Sequence, residues 1–341
     1  MDVLSDAVTA MRNGRPHASR TRMHGSWGIR FPPTPGAGFH VILQGSCHLL
    51  PVGGEPVRLG VGDVAFLPRE LGHGLADAPT TPLVEAVPRD EDGSPIGTLR
   101  RDGPGPVTEM LCGAYRLDQV RVHPLLAELP DVIHIPARIG RHPSLRGAVE
   151  LLGLELGASP GPGSDAATTA LLDVLLLYIL RAWYESRPPD QATGWGAALR
   201  DPAVTAALRA IHRHPARPWT VRSLAERAGL SRTAFAQRFA GKVGLTPLAY
   251  LTWWRMTTAA RLLRGTDLPL RSVAERTGYA TEFAFAKAFK REFGTAPGRF
   301  RDGLDGSPAA AAHPVAGPVA GPVAGPVAGP VAGPVAGPVA G

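Results

Sequence analysis

TVRSLAERAGLSRTAFAQRFAGKVG (220–244) reads as a helix, a glycine turn and a second helix. Thr220 is suited to cap the first helix, and Val221, Leu224, Ala225 and Ala228 fall on one helical face. Gly229 supplies the left-handed backbone that reverses the chain. Leu230 enters between the helices and Ser231 caps the next one. Phe235 and Phe239, four apart, form its inner stripe, while Arg232, Thr233, Ala236 and Gln237 stand on its outer side. Small Ala225, four residues before the glycine, lets the two helices cross closely. LRSVAERTGYATEFAFAKAFKREFG (270–294) repeats the pattern, with Ala274 and Gly278 each 49 residues after Ala225 and Gly229. Tyr279 takes the place of Leu230, and Phe285, Phe289 and Phe293 make the buried stripe. The outer side shows Glu282, Phe283, Ala286, Lys287 and Lys290. Two helix-turn-helix units are therefore expected, at 220–242 and 269–293.

Between them TPLAYLTWWRMTTAARLLRG (246–265) predicts a stiff rod. About 17 helical residues at ~1.5 Å each span ~25 Å, near the ~34 Å repeat of duplex DNA. Arg255, Arg261 and Arg264 on this rod would lie near phosphates, each adding salt-dependent affinity. The charge distribution agrees. Residues 200–304 hold nineteen Lys and Arg against seven Asp and Glu, whereas residues 1–199 hold seventeen against twenty-one. Basic charge confined to one stretch of a +7 chain suits a polyanion, and the acidic front half argues against a mere coding bias toward arginine.

The segments AERAGLSRTAFAQRF, PLAYLTWWRM with AARLL, and VAERTGYATEFAFAKAFKREFGTAPGRFR resemble the DNA-binding domain of the AraC/XylS regulators over about 200–301. The resemblance implies base-edge contacts from Thr233, Ala236 and Gln237 in the first unit, with Arg232 near the backbone. It implies Glu282, Phe283 and Lys287 in the second, with Lys290 on the same outer face. Double-stranded DNA is then the main partner, RNA polymerase a second one, and activation the family-level expectation.

Residues 39–117 read as β structure. FHVILQGSCHLLPV is followed by short strands between turn signals, in EPVRLG, GDVAFLP, HGLAD, PLVEAVP and TEMLCGAYRL, a spacing typical of a sandwich or barrel. GDVAFLPRELGHGLAD (62–77) sets Gly62, Pro68 and His73 as in the second cupin motif, with Asp77 in place of its Asn and Glu70 in place of its usual glycine. The His-x-His and Glu of the first cupin metal motif are absent. By this resemblance the front is a cupin-like sensor of the kind fused to some AraC-type regulators. Three readings of His40, His73 and Cys112 stay open. The two histidines, with Cys112 completing the set, would suit a divalent metal such as Zn, Cu or Fe. An exposed Cys112 of lowered pKa would be a redox sensor. Otherwise His73 hydrogen-bonds in a small-ligand pocket and Cys112 is a buried core thiol.

The expected fold is thus α+β with two domains. Residues 1–185 form a cupin-like sensor and dimerisation domain, a β-barrel over about 24–120 followed by helices over about 144–185. A linker follows at 186–199, then the all-α DNA-binding domain at 200–304. Within the first domain 118–143 is Pro-rich with little pattern. SLRGAVELLGLEL and DAATTALLDVLLLYILRAWYE predict two helices. The second is apolar on more than one face, so it packs on a partner subunit, giving a homodimer through 165–185, or on the β domain. His212 and His214, at a helix end, are expected to face solvent, and Trp219 to pack on the first unit. Seven PVAG copies from Pro314 to Gly341 forbid regular ladders and predict a disordered tail over 305–341. The N-terminus lacks a leader's order of charge and apolarity, and LLDVLLLYIL (171–180) is too short to cross a bilayer and holds Asp173, so the cytoplasm is expected. Two cysteines make no disulfide scaffold. They are also too few for a methyl-accepting repair protein with such a module. The sequence contains no catalytic triad, phosphate loop or carboxylate pair. A transcription regulator is the leading reading, and a metal-dependent cupin enzyme with a DNA-binding appendage is the alternative.

Overall fold

Strand alternation divides the front of the chain between two cores. The computed structural model describes residues 2–12, 14–69, 71–85, 100–117, 122–157, 161–188 and 193–303. Glu70 and the PVAG tail lie outside the described residues. In β3 (Ala37–Gln44), Ala37, Phe39 and Val41 face one core, and His40 and Ile42 the other. β6 (Val64–Leu67) and β10 (Val107–Tyr115) repeat this. Val64, Phe66, Leu111 and Tyr115 join the first core, and Ala65, Leu67, Met110 and Cys112 the second.

These strands lie inside a six-stranded sheet ordered β11 (Ile133–Ile135), β6, β3, β10, β1 (His17–His24), β9 (Arg100–Arg101). A five-stranded sheet, ordered β5 (Val57–Leu59), β4 (Cys47–Pro51), β7 (His73–Ala76), β2 (Gly28–Phe31), β8 (Val84–Glu85), supplies Ile29, Leu49, Leu59 and Leu75 to the second core. The barrel-like region begins at His17, earlier than the expected residue 24, and ends at Ile135, beyond residue 120. HASRTRMH escapes pattern reading because most of its side chains are only half-buried and few are apolar. The stretch 118–143 contributes β11 and the short α2 (Pro124–Ala127).

Helices cover the other face of the six-stranded sheet. They are α1 (Val3–Met11), α3 (Pro143–Glu155) and α4 (Ser164–Ser186). α3 and α4 form an antiparallel hairpin. Ser164 Oγ donates to Glu155 at one end, and His142 Nδ1 lies 3.6 Å from Glu185 Oε2 at the other. At 23 residues α4 is long and apolar enough to cross a membrane by length and composition, which corrects the shorter span expected. It buries Leu172, Leu175, Leu176, Ile179 and Leu180, and Tyr115 donates from the sheet to the Leu172 carbonyl at 2.9 Å. For this face, packing on the β domain is what holds. Leu151 and Leu154 of α3 and Val174 of α4 remain exposed.

The expected linker 186–199 is only partly one. α5 (Gly194–Arg200) occupies its end, and Trp195 is fully buried. Both carboxylate oxygens of Glu128 accept from the Trp195 N–H, at 2.8 and 2.9 Å, and Glu128 also accepts from Tyr184 Oη at 3.1 Å. Burial raises the Glu128 pKa against these bonds. The Gly- and Pro-rich composition marked a linker, but one buried indole holds the segment in place. From there the first core runs on through α6 (Pro202–Arg213), α7 (Val221–Arg227), α8 (Arg232–Val243) and the start of α9 (Pro247–Gly265). The rest of α9 joins a separate core with α10 (Leu270–Arg276), α11 (Glu282–Phe293) and, at its edge, α12 (Pro297–Arg301).

Both turn glycines adopt the left-handed conformation, Gly229 at φ +67° and Gly278 at φ +81°. A Cβ at Gly229 would meet open space, whereas at Gly278 it would lie 2.6 Å from the Arg255 guanidinium and 2.8 Å from the Ala216 carbonyl. Gly229→Ala is therefore expected to cost about 1–2 kcal/mol from the backbone alone. Gly278→Ala adds about 1–3 kcal/mol of overpacking, a difference that urea unfolding of the two variants measures.

Candidate functional site

Each helix-turn-helix unit closes by the same local bonds. Leu230 N–H donates to Ala225 O at 3.0 Å, and Tyr279 N–H to Ala274 O at 2.9 Å, a capping pattern that needs the preceding left-handed glycine. Ser231 Oγ accepts from Ala234 N–H, and Thr281 Oγ1 from Ala284 N–H, so each second helix starts with a side-chain cap. Phe235 and Phe239, and their counterparts Phe285 and Phe289, are fully buried. The outer faces then follow from helical geometry. Arg232, Thr233 and Gln237 are exposed on α8, as are Glu282, Phe283, Lys287 and Lys290 on α11, while Ala236 and Ala286 are half-buried.

Two basic side chains of α8 reach across to α6. Arg238 Nε lies 2.6 Å and Lys242 Nζ 2.8 Å from Asp201 Oδ2. Asp201 Oδ1 also accepts from Ala203 and Val204 N–H, capping α6. Burial acts to raise the Asp201 pKa, but the bonds from Arg238 and Lys242 outweigh it and bring it down to about 2. Asp201 thus seats α8 on α6. Sequence reading missed this joint, although Asp before Pro202 is a recognisable N-cap signal.

Arg255 is not a free phosphate ligand. Its Nε donates to Pro215 O at 2.7 Å and its Nη2 to Arg217 O at 3.0 Å, with the guanidinium 6.0 Å from the Tyr279 ring centroid. It ties α9 to the loop before α7 and to the turn of the second unit, and partial burial lowers its pKa. Arg261 is exposed, and Arg264, also exposed, stands 4.4 Å over the Phe300 ring.

His212 corrects a second expectation. Its side chain is buried and stacks on Trp254 at 3.7 Å. Nδ1 lies 3.1 Å from Asp6 Oδ2 and Nε2 2.7 Å from Tyr250 Oη. A carboxylate only accepts, so Nδ1 carries the proton and Nε2 accepts from the tyrosine. Burial lowers the His212 pKa, and Asp6 pulls the other way. The bond joins α1 to α6 and α9 across 206 residues. His214 is exposed, and Trp219 is buried with Nε1 donating to the His214 carbonyl.

In the sheet domain the structure brings His40, His73 and Cys112 together. Cys112 sits opposite His40 on the neighbouring strand, and His73 reaches across from the other sheet. His40 Nε2 lies 2.7 Å from His73 Nε2, while His40 Nδ1 lies 3.1 Å from Cys112 Sγ. The Phe31 ring stacks on His73 at 4.8 Å. Cys112 and His73 therefore address opposite nitrogens of one imidazole. The three side chains form a chain and do not converge on one point, and no cluster of three metal-ligating side chains occurs among the described residues. Burial, with His73 adding, keeps the His40 pKa well below its usual value, so its ring is neutral. Burial also pushes the Cys112 thiol up to about 12, the reverse of what a thiolate redox sensor requires. Cys47 is buried with its thiol likewise pushed up to about 12.

A family model described as Cupin matches residues 2–185, and one described as a helix-turn-helix domain matches residues 224–303. The chain is similar to an AraC-like transcription regulator of Streptomyces lividans, 36% identical over 306 residues covering 88% of this chain and 98% of that protein. It is similar to the HTH-type transcriptional regulator AlkR of Acinetobacter baylyi, 30% identical over 88% of this chain and 99% of that one. It is also similar to the RCS-specific HTH-type transcriptional activator RclR of Escherichia coli, 31% identical over 77% and 84%.

Two measurements test these assignments. A thiol reagent at neutral pH is expected to label neither cysteine in the folded protein and both after unfolding; fast labelling of Cys112 would contradict its environment. Stability is expected to fall as pH drops below about 6.5, because His40 and His212, kept neutral by burial in the fold, take up protons in the unfolded chain. A further loss between about 4 and about 2 belongs to Asp201, whose lowered pKa stabilises the fold only above that window. Asp201→Asn should remove that last phase in a pH series of melting curves.

Proposed function

Because this chain belongs to the AraC-type transcription regulators, with a Cupin domain ahead of its helix-turn-helix domain, we propose how its two parts divide the work. The exposed faces of α8 and α11 enter successive major grooves of double-stranded DNA. Arg232, Arg261, Lys287 and Lys290 neutralise phosphates there, and Thr233, Gln237, Glu282 and Phe283 meet base edges. The observation that carries this reading is that both outer faces stay exposed while every buried aromatic of the two helices turns inward. Bound in this way, the chain activates transcription in the cytoplasm by contact with RNA polymerase. It does so as a homodimer through the exposed leucines of the α3–α4 hairpin.

The signal enters at His40 and His73. The neutral His40 imidazole, in contact with His73, offers one N–H and one lone pair, which suits a small polar molecule that replaces the 2.7 Å contact between the sheets. Phe31, half-buried, stacks on His73 and covers that side of the pair. The donor geometry favours this over a metal, and with it a regulator over a cupin enzyme. A ligand that binds two arrangements of the sheets unequally shifts the helices packed on them.

Anisotropy titrations of full-length protein on genomic duplexes should show affinity falling steeply with salt. Lys290→Ala should reduce the log–log slope by about 0.9, one phosphate contact, with base preference unchanged; an unchanged slope removes that contact. His73→Ala should abolish effector dependence of a genomic footprint while leaving footprints without effector intact. Stoichiometric metal that is lost in His73→Ala would overturn the small-molecule reading. Leu151→Glu with Leu154→Glu should yield monomers in sedimentation.

A further inference from the structure

The two second helices differ where they are structurally equivalent. Their caps, Ser231 and Thr281, stand fifty residues apart, so Arg232 corresponds to Glu282, Thr233 to Phe283 and Gln237 to Lys287. Phe283 is 81% exposed, in the first turn of α11 and turned away from the core that Phe285 and Phe289 fill. Leaving such a ring in water forgoes roughly 1.5–3 kcal/mol of burial. Glu282 beside it is exposed and makes no ion pair among the described residues, although Lys287 and Lys290 share the helix. A carboxylate on a face presented to phosphates is repelled by them.

Neither side chain suits a surface that merely neutralises a backbone, and both suit base edges. In the major groove the cytosine N4 amino group donates to a carboxylate, and the thymine C5 methyl makes apolar contact with a phenyl ring. We infer that Glu282 and Phe283 set the base preference of the second module, Glu282 accepting from a cytosine amino group and Phe283 packing on a thymine methyl in the same half-site. This rests on the DNA-binding reading above. Glu282 acts in two directions. It gains a partner on the right sequence and meets only repulsion on a wrong one, so it penalises non-specific sites. The first module, with Arg232, Thr233 and Gln237 in the equivalent places, carries no such penalty: Arg232 stays on the phosphates, and Thr233 and Gln237 make the thymine-methyl and adenine contacts open to those side chains.

Full-length protein is used to select duplexes from a pool randomised over two helical turns, alongside Glu282→Gln, Phe283→Ala and Phe283→Leu. The wild-type chain should enrich one cytosine and one thymine in the second half-site. Glu282→Gln should lower discrimination for that cytosine by about five- to a hundredfold, leave the first half-site unchanged and raise affinity for random duplex. Replacing the selected thymidine by deoxyuridine, which removes only the methyl, should weaken wild type and Phe283→Leu several-fold and Phe283→Ala hardly at all. An acid in the first turn also favours a helix through its dipole. If Glu282→Gln lowers the melting temperature but selects the same bases, that structural role is all it has and the inference fails. Tight binding with no cytosine or thymine preference in the second half-site likewise overturns the inference but leaves DNA binding standing. Failure to bind any duplex at any salt overturns the DNA-binding reading with it.

Discussion

Helix α9 is buried in two cores at once, and the arrangement of the DNA-binding half depends on that. Its first turns place Tyr250, Leu251, Trp253 and Trp254 in the core shared with the sheet domain, and its last turns place Met256, Ala259, Ala260 and Leu263 in the core of the second unit. A 19-residue helix cannot bend cheaply, so the separation of the two units is fixed by ~28 Å of hydrogen-bonded backbone. Rotation about that axis is fixed separately. Arg255 sits where the cores meet, holding the carbonyls of Pro215 and Arg217 on one side and facing Tyr279 on the other. The crowding at Gly278 shows how close that approach is.

The same burial links the sheet domain to the first unit. Phe39, Val41 and Phe66 on one face of the six-stranded sheet belong to the core that continues to Phe235 and Phe239. His40 and Ala65, their neighbours in sequence, face the other sheet. A displacement of β3 or β6 from the His40–His73 side therefore bears directly on residues packed against the helices. The Asp6–His212–Tyr250 bonds add a second link, from the first helix of the chain to α6 and α9. Both are contiguous physical connections of the kind that can carry coupling between a sensor and a reader.

Much of this was legible beforehand because it depends on local periodicity. The two helix-turn-helix units, their glycine turns, their caps and their outer faces follow from residues within twenty-five positions of one another. So do the inner strands, whose alternation is complete. Strand β1 and helix α1 were not legible, since a half-buried strand of mixed composition carries no strong period and a nine-residue amphipathic helix carries too few turns to stand out. The linker was misjudged because glycine and proline around Trp195 describe composition, whereas Glu128, 67 residues earlier, decides the conformation.

The sequence by itself determined the class of fold and the two helix-turn-helix units with their basic charge, and it left open how His40, His73 and Cys112 meet. Tertiary structure alone decided how polar side chains are used. It turned Arg255 from a phosphate contact into a clamp and His212 from a surface residue into a buried tie, and it placed Cys112 as a buried thiol on the far side of His40. The reason is that a buried polar group must find its partner wherever the fold supplies one, and these partners stand 40, 206 and 72 residues away, where no periodicity reaches.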